Sequence, residues 1–253
     1  MAQLMRTSNP AFRNAFGPEE MTVGERMTVS GTVNKTGILT ICVVATAAWT
    51  WSRFLSAGNP EVAMASVVPL LLLGGIGGFV VALVTIFKKS WAPITAPIYA
   101  LLEGLVLGGI SAMTELRFPG IPMQAVGLTF GTLVALLLVY RAGIIKVTDN
   151  FRLGVVAATG GIALFYIATM IMGFFGVRFP SLFGAGPLGI GISVFVVIVA
   201  ALNLVLDFDL IERGAQMGAP KYMEWYGAFA LMITLIWLYL EILRLLQKLR
   251  SRN

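Results

Sequence analysis

The sequence predicts an all-α membrane protein, a seven-transmembrane-helix bundle with a central C-terminal helix. Three observations carry that reading. Of 253 residues, 58% are hydrophobic and only 12% charged, whereas a soluble domain carries about 25% charged residues. The apolar residues gather into seven runs, each near the roughly 20 residues that a helix needs to cross a bilayer. The last run also carries a stripe of small and polar residues, Gly227, Ala230, Thr234 and Glu241, and small side chains let helix backbones approach closely.

The chain divides into a polar tail (1–35), a seven-helix domain (36–248) and a short basic end (249–253). The tail is mixed in charge, lacks the apolar run of a cleavable signal and is expected to be flexible for much of its length. The spans fall near 37–56, 63–87, 93–114, 122–140, 153–175, 187–207 and 225–246. Trp49, Trp51, Trp91 and Trp225 stand near span ends, as an aromatic belt requires. Span 2 contains "GGIGG" at 74–78, which lacks the strand and lysine of a phosphate loop and reads as a packing face. "RFP" recurs at 117–119 and 178–180, too little to define a repeat.

Lysine and arginine set the expected orientation. Arg6, Arg13, Arg26 and Lys35 in the tail, Lys88 and Lys89 after span 2, Arg141, Lys146 and Arg152 after span 4, and Arg213 and Lys221 after span 6 all fall on one side. The other side holds Arg53, Arg117 and Arg178 in its loops. The bias places the N-terminus in the cytoplasm. Seven spans, however, put "RLLQKLRSRN" outside, and a re-entrant segment leaving six crossings is the alternative.

Composition also removes chemistries. There is no histidine and only one cysteine, Cys42, so His-based nucleophilic triads, the HExxH zinc site and an internal disulfide are absent. No enzymatic activity and no resident cofactor are expected. The net charge of +6 is explained by membrane orientation, so no nucleic-acid partner is expected.

Polar residues inside the spans are the candidates for function, because an intramembrane charge costs about 3 kcal/mol or more. Glu103 sits within the apolar stretch 93–113, with Tyr99 one turn and Thr95 two turns before it, and with Gly104, Gly108 and Ala112 on an adjoining small-residue face. In "AALNLVLDFDLIERG", Asn203 and Asp207 share a face, while Asp209 points roughly opposite, toward the loop or headgroups. Asp207 is read as lying near the cytoplasmic end of span 6, where a helix C-terminus disfavours negative charge. Val205 is expected to face lipid. Glu241 is expected to pair with Arg244 or Arg250.

Three segments together resemble the Bax inhibitor-1/YccA-like (transmembrane Bax-inhibitor-motif) family, in its bacterial branch: "LLEGLVLG", "LVLDFDLIE" and "LYLEILRLL". The resemblance implies a bundle around the last helix, located in a bacterial inner membrane. It implies a pH-sensitive calcium leak or, alternatively, a non-conducting regulator of a membrane-bound AAA protease. In leak-type members an aspartate on helix 6 shares a proton with one on helix 7. Asp207 matches the first position, and counting back from "LRLL" puts Thr234 at the second. A threonine cannot hold that proton, which leaves Glu103 or Asp209 to substitute, or a branch that gates otherwise. Asp207 and Glu103, helped by Asn203, Thr234 and water, would ligate Ca²⁺ transiently, since Ca²⁺ takes six to eight oxygens. A proton-coupled transporter lacks the repeats expected of it.

Overall fold

In the computed structural model, which describes residues 26–176 and 184–252, the seven apolar runs form seven helices long enough to cross a membrane. They are α1 (Val29–Leu55), α2 (Pro60–Phe87), α3 (Ala92–Arg117), α4 (Ile121–Arg141), α5 (Asp149–Phe174), α6 (Pro187–Gln216) and α7 (Met223–Arg252). A 3₁₀ turn, Lys89–Trp91, joins α2 to α3. None of the seven is shorter than a bilayer requires, as the seven-span reading expects. Residues 1–25, with Arg6 and Arg13, and residues 177–183, with Arg178 and the second "RFP", lie outside the described residues.

Local chemistry explains where the helices start. Thr28 and Asn59 precede α1 and α2, and their side chains accept the backbone N–H groups of Gly31 and Glu61. Thr148 accepts from Phe151 at the start of α5. Each satisfies a donor that the first helical turn leaves free. Pro60, Pro122 and Pro187 occupy first-turn positions in α2, α4 and α6, where no N–H is needed. The α6–α7 turn passes through Gly218 with φ +67°, a conformation that a side chain disfavours.

The last helix is the centre. α7 packs against α1, α3, α4 and α6, and 61% of its apolar window is buried, against 11% for α5, which lies at the periphery beside α6. In α7, Gly227 faces Ile211 of α6 and Thr32 of α1, and a Cβ added there would stand 3.2 Å from each. Gly227 of the small-residue stripe thus lies in a packed seam, while Ala230 is only partly buried. Three of the four glycines of "GGIGG" are packed likewise on α2: Gly74 and Gly77 lie against Leu102 of α3 and Gly78 against Glu103, while Gly75 faces open space. On α3, Gly104 and Gly108 meet the backbone of α1 at Val43 and Ala47.

The helices overrun several predicted ends. α1 begins at Val29, so residues assigned to the tail as far as Lys35 are helical, and Met27 is already buried. α7 continues to Arg252 through the short basic end. α6 runs nine residues beyond its predicted end at 207, to Gln216. The charges "DFDLIER" looked like a membrane exit, but they find partners along the helix and so do not end it. Val205 is another correction: it is wholly buried rather than lipid-facing, because α6 is packed by α1, α4, α5 and α7.

The end of the bundle where α1 begins is called the N face below, and the end where α7 finishes the C face. The basic C-terminal segment that seemed out of place is partly consumed inside the bundle. Arg244 pairs with Glu241 at 2.7 Å. Lys248 is buried, donating to the Gly189 carbonyl and the Ser193 hydroxyl of α6, both at 2.9 Å.

Candidate functional site

Asp207 and Thr234 come together. Asp207 lies well inside α6, about 13 Å from its C-terminal end at 1.5 Å per residue. It therefore does not lie at the helix terminus that its place in the sequence suggests, and the helix dipole, whose effect is confined to the last turn, does not act on it. Its face is turned to α7, with the carboxyl group beside the Thr234 hydroxyl. Thr234 also donates to the Ala230 carbonyl at 3.3 Å. Asp207 Oδ2 is enclosed and has no hydrogen-bond partner, the single such buried side-chain atom among the described residues. A buried ionised carboxylate without a partner is costly, so it is stable there only when protonated, hydrated or met by a cation.

Asn203 shares the Asp207 face by spacing but turns its amide sideways. Its Nδ2 donates to Thr159 Oγ1 of α5 and to the Val199 carbonyl, both at 2.8 Å. It therefore ties the peripheral α5 to α6. The side chain reaches a full turn deeper than Asp207, as expected, but its donors are already engaged.

Asp209 does not reach toward headgroups. Correcting that expectation, it is 8% exposed and clamped by two arginines, Arg152 of α5 at 2.8 Å and Arg213 one turn on at 2.9 Å. Two cations hold it, so proton sharing with Asp207 would have to break the clamp. Glu241 is likewise saturated: Arg244 Nη1 donates to both its oxygens, at 2.7 and 2.9 Å, and the Tyr166 hydroxyl donates at 3.3 Å. Of its two expected partners, Arg244 is the one it takes.

Glu103 belongs to another cluster. It is half-buried within α3, facing Gly78 of α2, with the Tyr99 hydroxyl beside it. Tyr99 in turn packs edge-on against Phe229 of α7, with ring centroids 5.0 Å apart. Phe229 and Thr234 are separated by about 140° around α7 at 100° per residue. Glu103 and Asp207 therefore approach the central helix from different sides, and none of their contacts joins them. No three acidic or thiol side chains converge among the described residues, so a Ca²⁺ ion at Asp207 or at Glu103 would draw on backbone oxygens and water beside the carboxylate.

Two charged groups escaped the sequence reading. Glu224, at the start of α7, is fully buried on the N face. It accepts from Thr28 N–H at 2.9 Å and from Thr28 Oγ1 at 2.8 Å, and pairs with Lys35 and with Lys221 at 2.9 Å. Gly31 makes room for it, since any Cβ there would overlap the carboxylate. The signal was an acid in the first turn of a span three residues after a lysine, a favourable helix N-terminus. Lys248 gave no sequence signal, because its acceptors on α6 are 55 and 59 residues away.

A family model described as Bax inhibitor 1 like matches residues 9–251. Neither a curated protein nor a solved structure matches the chain.

Proposed function

The chain belongs to the Bax inhibitor 1 like family, and on that premise we propose that it is a passive, pH-modulated cation leak in the bacterial inner membrane, with Ca²⁺ as its ion. The observation supporting this is the unpartnered Asp207 Oδ2, buried against Thr234 on the central helix. In the closed state the Asp207 carboxyl is protonated, which removes most of the cost of burying it. Entry of water between α6 and α7 lets it ionise, and the resulting charge favours cations. Thr234 supplies a neutral oxygen where a second acid would share the proton, so flux changes more gradually with pH than a coupled carboxylate pair allows. Glu103, on the far side of α7, is a second acid whose ionisation adds to the cation preference without gating.

The competing reading is a non-conducting regulator of a membrane protease, engaged through the tail. Ca²⁺ flux into liposomes holding the purified protein separates the two. Truncation must stop at residue 25, because Thr28 belongs to the Glu224 cluster and Met27 N–H donates to the Ala219 carbonyl at 2.7 Å. A leak predicts protein-dependent flux that survives this truncation. Absence of flux from folded protein at every pH from 6 to 8 favours the regulator.

A further inference from the structure

An open furrow runs between α1 and α4. These two helices make no substantial contact with each other, while α7 and α6 pack behind them. At the N face the furrow widens to a cavity of about 860 Å³, lined among others by Thr36, Leu133, Leu137 and Leu231, with Arg141 and Lys146 at its mouth. That volume is within the range of about 300–1,000 Å³ typical of ligand sites. Deeper in the membrane a second cavity of about 140 Å³ continues between Thr40, Val44 and Phe130 and ends at Ser111 and Tyr239. The two lie one helical turn apart along the furrow: Thr36 and Thr40 are four residues apart, as are Phe130 and Val134, one of each pair lining each cavity.

The inner cavity asks for hydrocarbon. Every hydroxyl on its wall is already bonded within the protein: Thr40 to the Thr36 carbonyl, Thr129 to the Ala125 carbonyl, and Ser111 to Tyr239 at 2.6 Å. The mouth asks for an anion. Arg141 and Lys146 are exposed and form no ion pair among the described residues. The acids facing the same cavity are engaged elsewhere: Asp209 with Arg152 and Arg213, and Glu212 with the Tyr140 hydroxyl at 2.6 Å and with Gln216. Counting the four basic and two acidic groups leaves two positive charges in excess. A helix about 10 Å across does not fit the narrow inner cavity, whereas a single alkyl chain does.

We propose that this furrow binds one anionic phospholipid, with its phosphate between Arg141 and Lys146 and one acyl chain laid between α1 and α4 into the inner cavity. The bound chain then touches Met232, Leu235 and Tyr239 of the central helix, so the lipid contacts the element that carries Thr234.

The test is native mass spectrometry of delipidated full-length protein in detergent, titrated with dioleoyl phosphatidylglycerol or dioleoyl phosphatidylcholine. One phosphatidylglycerol should bind in preference to phosphatidylcholine. Arg141→Gln and Lys146→Gln should each weaken phosphatidylglycerol binding about fivefold and phosphatidylcholine binding less, because its choline cation offsets the phosphate; both residues are exposed, so folding is preserved. Val44→Trp, which fills the furrow from its side, should abolish binding of both lipids. Equal binding of the two lipids by the unmodified protein, or wild-type phosphatidylglycerol affinity in the Gln variants, overturns the proposal. So does a dimer that persists without lipid and dissociates on Val44→Trp, which would assign the furrow to a second copy of the chain.

Discussion

Adding one methyl group at Gly108 should open the seam between α1 and α3. A Cβ at that position would stand 2.8 Å from Ala47 Cα and 2.9 Å from its carbonyl carbon, and would overlap its carbonyl oxygen. These are backbone atoms, which cannot rotate aside, so α1 must move away from α3. Overpacking of this kind costs about 1–3 kcal/mol, and rigid backbone on the opposing side puts the cost near 3. Alanine returns about 1 kcal/mol through its better helix propensity. The net loss is about 2 kcal/mol, or about 4–8 °C in melting temperature for a chain of this size. Gly127 of α4 provides the control, since nothing lies within 4 Å of a Cβ added there. Gly127→Ala should gain propensity alone and raise the melting temperature by about 2–4 °C. Thermal unfolding in detergent, followed with a thiol-reactive dye at the lone Cys42 on α1, measures both variants. A Gly108→Ala protein that melts at or above Gly127→Ala would refute backbone contact at this seam.

Other consequences concern single residues. Glu224→Gln leaves Lys35 and Lys221 without their counter-ion and should cost about 3 kcal/mol, the low end for a broken buried pair because Lys221 is partly exposed; unchanged melting would mean that the cluster does not tie α1 to α7. Val205→Ala should cost about 1 kcal/mol from lost packing and a small cavity, with no transfer contribution, since lipid is as apolar as the core; a rise in stability would return Val205 to the lipid face. With Cys42→Ser as background, Lys88→Cys should react with a membrane-impermeant thiol reagent added to inside-out vesicles and not to intact cells. Reaction from outside the cell would invert the orientation.

The sequence was most informative where the bilayer imposes a length. All seven spans were legible because about 20 apolar residues leave few alternatives, and α7 could be placed at the centre from Gly227 and Ala230. Span ends were harder to read. Asp209 and Arg213 look like a membrane exit in one dimension, whereas Arg152, from another helix, keeps the acid inside the bundle. That Asp207 and Thr234 lie beside one another could be expected only through the family resemblance, because no spacing within either helix relates the two. Glu103 could be placed on a polar stripe with Tyr99, but not relative to Asp207, because spacing along one helix says nothing of the angle at which two helices meet a third. Val205 was misplaced for a related reason: a stripe opposite a polar face meets lipid only when no other helix covers it.

The most direct test of the account is Ca²⁺ flux in liposomes at pH 6 and pH 8, comparing the wild-type protein with Asp207→Asn at matched melting temperature. Asparagine keeps the size of the neutral acid and cannot ionise. Wild-type flux should be greater at pH 8, where loss of the Asp207 proton supplies the negative charge, and lower at pH 6, where protonation removes it. Asp207→Asn should remain at its low level at both. Wild-type flux and an undiminished pH response in Asp207→Asn would contradict the claim that this carboxylate controls the path.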